Sequence, residues 1–429
     1  VFPQPRPAGA IRVNTLRTLS FAAFLACSWT WCIGMFLPVL LVRDFGVWGF
    51  VVFAVPNVLG AAAMGFVLAD PARAAAVREA HKPAAVAFSL VTVAFQVYFL
   101  MWLSVALHDA YAPGATPQPG RSTAYLVLIF AGAFVPAIAT RLLTGPHATR
   151  FVRITTALAW VASACIFAWL MSGGELRFLP SSWPPTALSS ASIPASLSRD
   201  LLLLAPVVAF GFVFCPYLDL TFLRAASSQT PRQNRVSFAL GFGLMFLAMI
   251  VFTLGYAWAL MPMAFGVSLP IGRPPVLDAV VAHIWLQALF TVFVHVRELT
   301  SSALSRRALV TACIVLLAFT VVWLIVGTGS LIGPLVAGLT GGEVVYRLFM
   351  SFYGLVFPAY VWICMIPTRD GHSGLGGAEG VRKLIALIVA CVLAAPCYWM
   401  GFIERQELWL VPGLAVVLLA RVIGKSPGR

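Results

Sequence analysis

Long apolar runs, each bounded by charge, proline or glycine, recur from residue 15 to residue 423 and leave little room for anything else. A membrane-spanning helix needs about 20 mostly apolar residues, so these runs predict about twelve spans joined by short connections. They fall near 15–42, 46–69, 84–107, 123–143, 151–172, 201–223, 236–262, 277–299, 308–329, 343–366, 382–402 and 407–423. A transmembrane barrel would alternate apolar and polar residues in short segments, whereas unbroken runs predict helices that satisfy their own backbone polar groups. Only 10% of the 429 residues are charged, against roughly a quarter in soluble domains. The expected class is an all-α membrane protein, with no appended soluble domain to carry catalysis and no organic cofactor.

The net charge of +14 is spread over short connections and forms no basic domain, so no nucleic-acid partner is expected. Counted by alternate connections, the N-terminal segment and every second loop hold 21 of the 28 Lys and Arg. The other seven, Arg43, Arg121, Arg177, Arg199, Arg273, Arg347 and Arg405, lie on the opposite side. Cationic loops are retained in the cytoplasm, so this division predicts an inner or plasma membrane protein with both termini cytoplasmic and an even number of spans. All eight cysteines lie inside apolar runs without CxxC or zinc spacing and read as small buried residues. The opening VFPQPRPAGAIR is too proline-rich and polar for a cleaved signal. The Ser/Pro-rich connection at 173–200 reads as an outer surface loop with a short interfacial helix, or as a lid.

Two runs carry helix breakers near mid-membrane. The first, FAAFLACSWTWCIGMFLPVLLV, contains Ser28, Thr30, Gly34 and Pro38; the sixth, LLLLAPVVAFGFVFCPYLDLTFLRA, contains Gly211, Pro216 and Asp219. Proline removes a backbone donor and glycine weakens the helix, while hydroxyls can take up orphaned backbone groups. A simple kink is the plainer reading of either run alone. Five spans apart, however, the two run in opposite directions. That is the pattern of an inverted repeat whose broken helices turn carbonyls and helix ends toward a central solute and ion site.

The sequence around these breaks, FCPYLDLTFLRAASSQTPRQNRVSFALGFG and SWTWCIGMFLPVLLVRDFGVWGF, resembles the sodium/solute symporter family, and TSSALSRR at the end of the eighth span is similar to the tail of that family's eighth core helix. The resemblance implies a LeuT-type fold of ten core helices in two inverted halves plus two C-terminal helices, a layout closer to amino-acid/polyamine/organocation carriers. The corresponding division is a tail at 1–14, a first half at 15–172, the outer loop at 173–200, a second half at 201–366, and two further helices with a tail at 367–429. It further implies a sodium site between helix-1 carbonyls at Phe24 and Cys27 and two hydroxyl positions that fall on Thr291 and Val292. Valine offers no side-chain oxygen, so one hydroxyl is lost and sodium coupling is in question.

The implied solute cradle comprises Ser28, Trp29, Thr30, Trp31, Gly34, Cys215, Pro216, Tyr217, Asp219 and Tyr353, with Tyr360 nearby. For each aromatic, interfacial placement or ordinary packing is the competing reading. On the eighth span His283, Gln287, Thr291 and His295 recur every four residues, with Glu298 following, and this polar stripe should face the bundle interior. It either bonds neighbouring helices or supplies His295 to a proton path. Asp219, an acid deep within a span, is a candidate ion ligand, substrate partner or proton carrier, or else a helix cap or a partner of Arg224. The two histidines, about 18 Å apart along a helix, are too distant to share one metal. Arg347 is expected to snorkel toward the headgroups. Gly374, Gly376 and Gly377 follow no strand and read as a connection. The expected function is a secondary transporter that moves a small organic solute through the lipid bilayer by alternating access, with Na+ or H+ as coupling ion. The alternative is a non-pumping module that acts as a solute sensor or as a structural subunit of a membrane complex.

Overall fold

The computed structural model describes residues 15–111, 121–140, 142–143, 146–183, 193–266, 274–301, 339–366 and 377–423. The ninth predicted span, 308–329, and the tail at 1–14 lie outside the described residues. Among those described the chain is all-α, and nine of its helices are long and apolar enough to cross a membrane. The helices of the described residues are, in chain order, α1 (Thr15–Trp29), α2 (Cys32–Val67), α3 (Pro71–Ala80), α4 (Lys82–Tyr111), α5 (Ser122–Ala139), α6 (Pro146–Ser172) and α7 (Arg199–Phe214). Then follow α8 (Leu220–Ser227), α9 (Pro231–Phe265), α10 (Pro275–Ser301), α11 (Gly341–Met365), α12 (Gly377–Phe402) and α13 (Leu410–Ile423).

The helix α2 has 36 residues, about 54 Å if straight, and it joins the latter part of the first predicted span to the second span. Gly46 separates them with φ 66° and ψ −158°. A Cβ there would collide with the Pro194 carbonyl, so the bend needs glycine on both conformational and steric grounds. The outer loop thereby packs directly over the turn. Trp183 and Ile193 are buried in that loop, whose only helical piece among the described residues is the turn Pro180–Ser182.

Helix α3 was expected to be loop. Asp70 caps its first turn by accepting from the Ala72 amide at 2.9 Å, Pro71 occupies the first helical position, and the Ala-rich segment continues the helix. It packs against α8.

The first and sixth predicted spans are each two helices. α1 ends at Trp29, Thr30 and Trp31 are non-helical, and α2 resumes at Cys32. α7 ends at Phe214, Cys215–Leu218 tighten into a 3-10 turn, and extended Asp219 starts α8. The pair is antiparallel. Arg17 at the start of α1 donates to the Ser228 carbonyl at the end of α8 (2.8 Å), whereas Trp29 at its other end packs at a tilt against Phe222 near the start of α8 (5.1 Å). Helices α4, α6 and α10 surround the breaks.

Candidate functional site

A cleft of about 970 Å³, termed outer after the side expected for the 173–200 loop, runs from the breaks to the end of the bundle opposite the start of α1. Its floor is Trp29, Trp31, Cys215 and Tyr353, its walls are aliphatic residues of α2 and α7, and its rim carries Asp44, Arg347 and Glu407. A second cavity of about 860 Å³ opens at the other end, between α1, α6, α8 and α10, with Thr221 among its lining residues.

The first break falls at Thr30–Trp31, upstream of the expected breakers Gly34 and Pro38, which are helical. Pro38 leaves the Gly34 carbonyl without its helical donor, and the Thr253 hydroxyl fills the vacancy at 3.0 Å. At the break itself every carbonyl from Leu25 to Trp29 has a protein donor. Leu25 O accepts from Ser28 Oγ (3.2 Å), and Ala26 O from both the amide (2.9 Å) and the hydroxyl (2.8 Å) of Thr30. Cys27 O accepts from Thr291 Oγ1 (3.4 Å), Ser28 O from the Trp31 indole, and Trp29 O from the Trp31 amide (2.8 Å). On the far side, the Cys32 amide donates to Gln96 Oε1 (3.3 Å) and its carbonyl accepts from Tyr346 (3.0 Å).

Trp31 fills the space between the two breaks. Its ring lies 4.4 Å from Trp29, 5.4 Å from Phe88, 5.4 Å from Tyr353 and 5.8 Å from His295. Trp29 is held in turn by Asn57, whose Oδ1 accepts its indole proton at 2.7 Å. Tyr353 shares a hydrogen bond with Thr92 at 3.0 Å and sits in a π-helical turn, Phe352–Val356; its carbonyl accepts from the Cys215 thiol (3.3 Å).

Asp219 is the cap of α8. Its Oδ1 accepts from the Thr221 amide (2.7 Å), the Thr221 hydroxyl (2.6 Å) and the Phe222 amide (3.3 Å). It does not pair with Arg224, which binds Glu298 at 2.8 Å. The second oxygen, Oδ2, has no hydrogen-bond partner and lies 3.7 Å from His295 Nε2, which also has none. Both residues are fully buried, and His295 Nδ1 is fixed by Ser89 Oγ at 3.1 Å. The site therefore joins α4, α8 and α10 through two facing unpaired groups.

The rest of the α10 stripe is buried as its periodicity implies, and it bonds neighbouring helices. Ser163 contacts His283 Nδ1 (2.9 Å) and accepts from Gln287 Nε2 (2.7 Å). Phe24 meets Phe290 edge-on at 6.3 Å, so α1 and α10 adjoin where the resemblance implied an ion. Ser28, Thr30, Pro216, Tyr217 and Asp219 do not line the outer cleft, whereas Trp29, Trp31, Gly34, Cys215 and Tyr353 do. Tyr360 lies elsewhere, against His81 Nδ1 at 3.0 Å.

Arg347 does not snorkel. It pairs with Glu343 (2.8 Å) and Asp44 (2.9 Å), within a network in which Arg43 binds Glu343 through both terminal nitrogens (2.7 Å each) and Asp44 through Nε (2.8 Å). Burial makes pairing the favourable outcome, because an unpaired guanidinium out of water is costly. Sequence reasoning missed this network, Asn57 and Gln96, although the adjacent Arg43–Asp44 and the lone amides in apolar runs were visible signals.

The described chain is thus a multi-pass, all-α membrane protein with two antiparallel broken helices between opposed clefts. No protein-family model and no curated protein matches its sequence. Among solved structures it is similar to MhsT in complex with L-phenylalanine, at 15% identity over 94% of this chain and 98% of that one, with a TM-score of 0.48. A Na+-coupled sialic acid symporter in a substrate-bound outward-open state matches at 14% identity over 95% and 90%, with a TM-score of 0.49. A manganese transporter of Eremococcus coleocola matches at 15% identity over 97% and 95%, with a TM-score of 0.45.

Proposed function

We propose that the protein is a secondary transporter of a small organic solute, working by alternating access and coupled to protons through Asp219 and His295. The observation that carries this reading is the buried pair at the break in the α7–α8 helix. Asp219 Oδ2 and His295 Nε2 face each other at 3.7 Å with no other partner, so one proton can be shared or released there. Thr221 bonds Asp219 and also lines the cavity beside α1, which leaves the pair one residue from that side. On the other side Trp31 packs against His295 and lines the outer cleft. The apolar and aromatic cleft suits an organic solute with little charge. In this reading residues 15–172 and 201–366 are the two halves of a LeuT-type inverted repeat, residues 367–429 add two helices, and both termini are cytoplasmic in an inner or plasma membrane. Rocking of α1, α2 and α7–α9 against α4, α5, α10 and the ninth predicted span would then exchange the open side.

A second reading, a non-pumping sensor or structural subunit, is favoured by one observation: the carbonyls freed at the first break are all taken up internally. Proteoliposomes loaded with a pH-sensitive dye and challenged with panels of small organic solutes separate the two. Solute-evoked proton movement that disappears in Asp219→Asn is expected. Uptake driven by a sodium gradient, insensitive to pH and lost in Thr291→Ala, would replace protons by sodium at Phe24, Cys27 and Thr291. Saturable solute binding without uptake would establish the sensor.

A further inference from the structure

The cavity beside α1 has a second chemistry that proton transfer leaves unused. Four guanidinium groups from four different elements line it: Arg17 of α1, Arg153 of α6, Arg224 of α8 and Arg297 of α10. No acidic residue is among the lining residues, and the one carboxylate in contact, Glu298, is divided between Arg224 (2.8 Å) and Arg297 (3.2 Å). Arg17 is anchored on the Ser228 carbonyl, and Arg153 makes no ion pair among the described residues. Leaving Arg17 aside, Arg153, Arg224 and Arg297 bring three positive charges to one carboxylate among the described residues, in a recess open to solvent at the exposed Arg153.

Like charges gathered in a recess repel one another, and the repulsion grows as solvent is excluded. Arginines that merely snorkelled would each reach the lipid surface alone; these instead converge on one recess, whose inner end is the Arg297 side chain at 15% exposure and whose mouth is Arg224 at 38% with the exposed Arg17 and Arg153. The missing component is an anion. Guanidinium forks match the oxygens of a phosphate group in pairs, and the Ser20 and Thr149 hydroxyls in the lining are further donors.

We propose that this recess binds a phosphate-type oxyanion, carried by a soluble phosphate or by an anionic lipid headgroup, held among Arg17, Arg153, Arg224 and Arg297. The bound group would clasp α1 and α8 to α6 and α10. The proposal does not rest on transport, since a sensor or subunit could bind the same ion.

The test uses the full chain in an uncharged detergent, with radiolabelled inorganic phosphate in equilibrium dialysis at constant ionic strength. Saturable binding of one phosphate per chain is expected, weakened about tenfold or more in Arg153→Gln, the scale of one charge-assisted contact. Arg17→Gln repeats the measurement should Arg153→Gln fail to fold, and unchanged elution and melting without phosphate establish that a variant is folded. Absence of saturable binding, or equal affinity in folded variants, would overturn the site. Phosphatidylcholine nanodiscs with and without phosphatidylglycerol then identify the source. Phosphate binding abolished by phosphatidylglycerol assigns a lipid headgroup, and binding that survives assigns a soluble oxyanion; both sustain the site.

Discussion

Glu343 is the centre of the rim network, and Glu343→Gln should cost the protein about 3–5 kcal/mol, the range for removing one partner from a buried ion pair. The carboxylate is 2% exposed and accepts three hydrogen bonds: both terminal nitrogens of Arg43 at 2.7 Å and Arg347 Nε at 2.8 Å. An amide of the same shape keeps one acceptor and turns N–H groups toward a guanidinium. Bonds to charged groups are worth about 1.5–3 kcal/mol each, and Arg43 retains Asp44 and the Ala264 carbonyl, which holds the total below their sum. Unfolding by SDS titration from mixed micelles reads the loss. A cycle of Arg43→Met, Glu343→Met and the double variant Arg43→Met/Glu343→Met isolates the pair. Asp44 keeps Arg347 (2.9 Å) and Arg405 (3.0 Å), so the double variant strands no carboxylate. Coupling of about 2–3 kcal/mol is expected. A coupling below about 0.5 kcal/mol would mean that the network is solvated and places no constraint on the cleft rim.

Trp31→Ala removes the ring between the two breaks. It should cost about 3–5 kcal/mol, as for other buried Trp truncations, and should raise maleimide labelling of Cys215 on the cleft floor; unchanged labelling would remove Trp31 as the seal. Glu407, in the turn before α13, is raised above the ordinary carboxyl value of 4.5 by burial and by Asp200, against Arg405 and Arg347. A raised acid adds stability at low pH that is lost as pH rises from 4.5 through its folded value. Glu407→Gln should therefore flatten the fall in melting temperature over that window, and an identical pH profile would refute the assignment. Asp219→Asn should abolish the pH dependence of solute-evoked signals while leaving the fold intact, because the amide oxygen still caps α8; circular dichroism and proteoliposome assays check the two halves.

Periodicity, breakers and charge counts read from the chain located most described spans to within a few residues. They also indicated that the first and sixth spans are interrupted. The position of the first interruption was not legible, because Gly34 and Pro38 suggest a break that Thr253 repairs from another helix. What decides the matter is Trp31, whose indole and amide cap α1 from beyond its end. Local composition carries no record of such a contact. Arg347 failed for a related reason: a lone arginine near a span end snorkels by default, and although Glu343 stands four residues earlier on the same helix, only the fold brings Asp44 to it. The α10 stripe was legible because its period alone dictates that one face is polar. Its partners, Ser89, Ser163 and Cys27, come from three other helices and had to be seen in place.

The two breaks are chemically unequal, and the inequality bears on the coupling ion. At the first, five consecutive carbonyls are satisfied, so a sodium ion would have to displace the Thr291–Cys27 bond and find further oxygens where Val292 offers none. A hard cation repays its dehydration only with several ligands at once. At the second, one carboxylate oxygen and one imidazole nitrogen are buried, facing and unpaired. A proton needs a single acceptor and no ligand cage. Sodium would have to dismantle the bonds of the first break, whereas the proton of the proposed coupling would use the second as it stands, with Thr221 leading to one cavity and Trp31 standing before the other.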